Sequence, residues 1–140
     1  MSLILKGTAT LNSRMHFTGQ SPKGGPTEMD SGPAGAVVAG PTPLELLLQA
    51  IAGCAGMEAL AILRKRKLDL QHLEVSVEGT KRDEHPRILT NIHITYRGKC
   101  EGLTVMEMER GAKFAYDKYC SIINQLKSTA EITWNCELID

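Results

Sequence analysis

One stretch constrains this chain more than any other: Gly40 to Lys67, GPTPLELLLQAIAGCAGMEALAILRKRK. Leu44, Leu47, Leu48, Ile51, Ala55, Ala59 and Ile62 recur at steps of three and four, which puts them on one face of a helix. Thr42 stands at the cap position, Pro43 suits the first helical residue, and Glu45 completes a Thr-x-x-Glu capping box. Arg64, Lys65, Arg66 and Lys67 close the segment with cations, where the helix dipole favours them. The middle is small: Ala50, Ala52, Gly53, Cys54, Ala55, Gly56. Two glycines inside a helix cost roughly 2 kcal/mol against alanine. A neighbouring element or a second subunit is therefore expected to approach the backbone there.

The flanking segments alternate rather than cycle. Leu3 to Leu11 reads as a strand, Asn12-Ser13 as a turn, Met15 to Thr18 as a return strand, and Thr27 to Met29 as a third. Asp30 to Pro43, rich in glycine, proline and alanine, is a loop. Its Gly35 and Gly40 have the spacing of a phosphate loop, but Pro41-Thr42 stands where Lys-Ser/Thr is required. After the helix, Leu73, Val75 and Val77 alternate with Glu74, Ser76 and Glu78. A charged turn follows (KRDEHPR, 81–87), and then Ile88, Ile92, Ile94 and Tyr96 share one parity, so a hairpin is expected. Leu103 to Leu126 reads as one second long helix, with Thr104 and Glu107 as another capping box. Ile132, Trp134, Cys136 and Leu138 alternate in a closing strand. The reading is a single α+β domain over residues 1–140: an N-terminal β-meander, a long central helix, antiparallel strands and a second long helix.

Charge narrows the function. Lys+Arg and Asp+Glu both number 16, so the formal net charge is zero and no basic footprint for nucleic acid or membrane surface is present. No apolar run reaches the roughly 20 residues of a membrane span. Lys6 is followed by polar residues rather than by the apolar core of a signal peptide, so a cytoplasmic protein is expected. Cys54, Cys100, Cys120 and Cys136 form no C-x-x-C pair, and His16, His72, His85 and His93 stand at no metal-ligand spacing to them. Neither a disulfide framework nor a metal site is expected, and no cofactor is called for. Cys136 shares parity with Ile132, Trp134 and Leu138 and reads as a core thiol; Cys100 reads as a turn residue. Cys54 and Cys120 lie one on each long helix, and periodicity alone leaves both open to being core thiols.

The run Gly40-Pro-Thr-Pro-Leu-Glu-Leu-Leu-Leu-Gln-Ala-Ile-Ala-Gly-Cys54, with Asp117-Lys-Tyr-Cys120-Ser-Ile downstream, resembles the OsmC/Ohr family, the osmotically inducible and organic-hydroperoxide-resistance proteins. The KRDEHPR turn is most similar to the YhfA-like branch. The resemblance implies an intertwined homodimer and a thiol peroxidase acting on small organic hydroperoxides. It implies that Cys54 is the attacking thiol and Cys120 the resolving thiol, reset by an external dithiol reductant. The family places a glutamate directly after the proline. Leu44 occupies that position here and Glu45 follows it, so Glu45 is the candidate carboxylate. The family's thiolate-activating arginine lies in the N-terminal region, where Arg14 is the candidate. The alternative from another class is a non-catalytic OsmC-like dimeric binding protein with an apolar interface pocket. A third is a structural α+β dimer with inert thiols.

Overall fold

The computed structural model describes residues 2–140; Met1, the first residue of the expected 1–140 domain, lies outside them. The chain falls into two compact units, one ending at Leu47 and one running from Leu48 to Asp140.

The first unit carries a three-stranded antiparallel sheet in the order β1 (Thr8–Ser13), β2 (His16–Gln20), β3 (Thr27–Met29). The meander is as expected, but its first strand begins at Thr8 rather than Leu3, and the turn falls on Arg14-Met15 rather than Asn12-Ser13. Arg14 takes the left-handed conformation (φ 51°) that a tight turn requires. Asp30 organises the loop that follows. It is 7% exposed, and its carboxylate accepts the amides of Ser31 (2.7 Å) and Ala39 (2.9 Å), while its own amide donates to the Pro41 carbonyl (3.0 Å). Those amide bonds hold its pKa below the usual carboxylate range. Gly40 lies so close to β3 that a β-carbon there would stand 2.6 Å from the Glu28 carbonyl oxygen. The capping box forms as read: the Thr42 hydroxyl accepts the Glu45 amide (3.2 Å), and the Glu45 carboxylate accepts the Thr42 amide and hydroxyl (3.0 Å each).

That cap opens α1 (Pro43–Lys65), which carries into the second unit. By length and composition α1, at 23 residues, is long and apolar enough to cross a membrane. This corrects the expectation that no run reaches that measure. A helical average passes over Gln49 and Glu58, which interrupt a continuous apolar count.

The second unit is built on a sheet of order β4 (His72–Lys81), β5 (Leu89–Lys99), β6 (Glu131–Leu138). β4 and β5 form the expected antiparallel hairpin, but β6 runs parallel to β5, so the sheet is mixed. Between them the chain crosses over through helices, which returns it in the starting direction. The expected second long helix is broken. It consists of α2 (Val105–Phe114), a π-helical turn at Ala115–Tyr119, and α3 (Ser121–Leu126). Thr104 caps α2 by accepting the Glu107 amide (3.2 Å), yet the Glu107 carboxylate does not return the bond of a full capping box. It is held by Arg66 in a two-point ion pair (2.5 and 2.8 Å), which ties the end of α1 to the start of α2.

The core of this unit joins Ile51, Ala55, Ala59 and Leu63 of α1, Ile92, Ile94 and Tyr96 of β5, Met108 and Ala112 of α2, and Ile123 of α3. Leu63 rather than Ile62 closes the buried face of α1. The close backbone approach expected at the α1 glycines is found at one of them. A β-carbon on Gly56 would stand 3.2 Å from a Val75 methyl, whereas Gly53 has no neighbour within 4 Å of that position among the described residues. α2 approaches just as closely, with Gly111 placing a would-be β-carbon 3.2 Å from the Ala59 carbonyl oxygen.

Candidate active site

Three cross-strand rows build the floor of the site. Opposite residues in neighbouring strands share a face, and the register pairs Val75 with Tyr96 and Tyr96 with Cys136. Val77, Ile94 and Trp134 form the next row, and Gly79, Ile92 and Ile132 the one beyond. This is the face that α1 covers, since Gly56 rests on Val75. Cys54, half-buried, lies two residues before that contact.

The break between α2 and α3 presents the second thiol. Cys120 leaves the helical path (φ −76°, ψ 108°), and its sulfur accepts the Ile123 amide at 3.5 Å as the cap of α3. The break is well tied. The Cys120 amide donates to the Ala115 carbonyl (2.9 Å), and Asn124 Nδ2 donates to the carbonyls of Cys120 (2.9 Å) and Tyr116 (3.2 Å). Lys127 Nζ also donates to the Tyr116 carbonyl (3.1 Å) and lies over the Tyr116 ring. Cys120 therefore caps a short helix, which corrects its expected place inside one long helix. A π turn lengthens the loop of hydrogen bonding and re-aims the residues after it.

Cys54 and Cys120 come together: the Cys54 thiol is near enough to Cys120 to help raise its pKa. Cys120 is fully buried. Burial first, and then the neighbouring Cys54 thiol, push its pKa up to about 12, against a weaker opposing pull from the Ile123 and Ile122 amides. Cys120 is thus a thiol that keeps its proton beside Cys54. Cys136 is half-buried rather than a full core thiol, because β6 is an edge strand. Burial and then the nearby charge of Glu109 push its pKa up to about 12 as well.

Tyr96 is the residue that the sequence did not single out. Parity places it in the core, and it is 1% exposed. Its hydroxyl is buried without a hydrogen-bond partner in the protein, and its pKa is raised by burial and then by the proximity of Cys120, Cys136 and Cys54. The available signal was a phenol sharing parity with Ile92 and Ile94; a buried tyrosine oxygen ordinarily finds a partner.

The other two candidates belong to the first unit. Arg14 is exposed in the β1–β2 turn, and its charge acts on Asp30. Glu45 is engaged in the capping box, and bonds from Thr42 hold its pKa below the usual range.

Residues 33–135 match the family of OsmC-like proteins. The chain belongs to this family. YhfA of Escherichia coli K12 is 28% identical over 123 residues, covering 88% of this chain and 90% of its own. An OsmC-like protein from Mycoplasma pneumoniae superposes with a TM-score of 0.86 over the full length of both chains, at 21% identity. An organic hydroperoxide resistance protein from Legionella pneumophila superposes at 0.71, with 14% identity, over 96% of this chain and 97% of its own. This OsmC-like chain thus shares its fold with proteins named for hydroperoxide resistance, and its thiol pair lies within the matched span.

Proposed function

We propose that this OsmC-like protein is a thiol-dependent peroxidase that reduces organic hydroperoxides. The observation that carries the reading is the proximity of Cys54 to the buried, proton-retaining Cys120. Cys54 as thiolate attacks the O–O bond, becomes a sulfenic acid and releases an alkoxide, which takes a proton and leaves as the alcohol. The Cys120 thiol then attacks the sulfenic sulfur, forming the disulfide and releasing water. An external dithiol restores both thiols by exchange. A buried resolving thiol suits this order, since it is weakly nucleophilic towards outside electrophiles and reacts with the one partner beside it. Steady-state consumption of cumene hydroperoxide and of hydrogen peroxide, with dithiothreitol as reductant, tests the reading. Activity preferring the organic substrate and lost in Cys54→Ser is expected; no consumption of either peroxide refutes it.

The functional unit in this proposal is a homodimer. Support comes from the open position beside Gly53, from Met57 at 73% exposed, and from the fact that 28% of the most apolar window of α1 is buried in one chain. Light scattering at micromolar concentration should give twice the mass of the 15.3 kDa chain, and a monomer would refute it.

A second reading, a non-catalytic binding protein of the same fold, is favoured by Glu45, whose carboxylate is engaged by Thr42. The pH dependence of Cys54 alkylation separates the two: an activated thiolate reacts well below the ordinary thiol range, and an unactivated one does not.

A further inference from the structure

Resting on the peroxidase reading, we propose that the Tyr96 hydroxyl is a hydrogen-bond donor to the oxygen transferred from hydroperoxide to Cys54. Three observations place it there. The register sets Tyr96 between Val75, which α1 covers through Gly56, and Cys136. The phenol lies within electrostatic range of Cys120, Cys136 and Cys54. Its oxygen is buried and lacks a protein partner.

A hydroxyl sealed away without a partner is costly, and phenylalanine would fill the same space without that cost. The thiols around it are weak acceptors. The oxygen that arrives with the substrate is a strong one. In the first step the Cys54 thiolate gives two electrons to the O–O bond, a new S–O bond forms, and the alkoxide leaves. The transferred oxygen keeps its own hydrogen, and the alkoxide takes a proton from water. Tyr96 donates a hydrogen bond, not a proton, to the oxygen while it passes from carrying an O–O bond to carrying an S–O bond. A fixed donor in a dry site needs no reorganisation at that moment. The later steps, condensation with Cys120 and reduction of the disulfide by dithiol, place no such oxygen beside Tyr96 once water has left.

Tyr96→Phe tests this. Stopped-flow oxidation by cumene hydroperoxide should slow by about tenfold or more. Reduction of the pre-formed Cys54–Cys120 disulfide by dithiothreitol should proceed at the wild-type rate, and the melting temperature should be unchanged or higher. Oxidation within about twofold of wild type, or oxidation and reduction slowed alike, overturns the proposal while the peroxidase reading stands. A variant that melts lower or does not fold shows that the hydroxyl is satisfied within the protein, which also overturns it. A wild-type protein that consumes no hydroperoxide removes both readings together.

Discussion

Raising the pH should loosen this fold through Cys120, and the size of the effect follows from its burial. The folded state keeps the Cys120 proton to about pH 12, whereas the thiol's ordinary value is 9.0. Between those values the unfolded chain binds fewer protons than the folded one, so stability falls as pH rises. Below pH 9 the contribution is fully present; it is lost progressively towards 12. Each proton held only by the folded state gives a slope of up to about 1.4 kcal/mol per pH unit. With a urea m-value of about 2 kcal/mol/M, the midpoint drops by roughly 0.7 M per pH unit for that one thiol. The assay is urea unfolding at pH 8 to 11 under reducing conditions, comparing wild type with Cys120→Ala. The variant starts lower, by about 1–2 kcal/mol, because it loses the sulfur that caps α3 and leaves a small void. Its midpoint should then fall less steeply with pH. Cys136 and Tyr96 supply further alkaline slopes in both proteins, so the difference between them reports Cys120 together with its effect on Tyr96. Parallel pH profiles for wild type and variant would refute the reasoning.

Mild oxidation followed by peptide mapping should find Cys54 bridged to Cys120; a bridge from Cys54 to Cys136 instead would show that the wrong thiol was named as resolving. Gly40→Ala should lower the melting temperature, at a cost of about 1–3 kcal/mol, because its β-carbon would meet the β3 backbone at 2.6 Å; an unchanged melting temperature would mean that this loop yields freely. Thr42→Ala should cost about 1 kcal/mol by thermal melting through loss of the cap. Arg14→Gly should be neutral or stabilising, since glycine accepts a φ of 51° without strain, and a clear loss of stability would show that the side chain is needed where it stands.

Local signals were legible wherever the cause is local. The capping box at Thr42 and Glu45, the parity of Ile92, Ile94 and Tyr96, and the meander of β1 to β3 rest on interactions within a few residues or on a strict period. The direction of β6 was not legible, because alternation is the same for a parallel and an antiparallel strand. Nor was the break at Cys120. Residues 103–126 keep helical spacing throughout, and the π turn re-phases them only once Asn124 and Lys127 bind the freed carbonyls. The second capping box failed for a related reason: Glu107 had a competitor in Arg66, 41 residues away.

By itself the sequence determined that the chain would place a small-residue, cysteine-bearing helix against a sheet with one apolar face. It also placed the two thiols of the family pattern on separate helical segments. Those outcomes follow from periodicity and capping, which act along the chain. Only the tertiary structure decided that Cys120 would be buried near Cys54, that Cys136 would stop half-buried at a sheet edge, and that an unpartnered phenol would lie within electrostatic range of all three. Contacts of that kind depend on strand register and on how closely helices approach. Here both turn on single residues, Gly56 on Val75 and Gly111 on Ala59, whose partners no local pattern names.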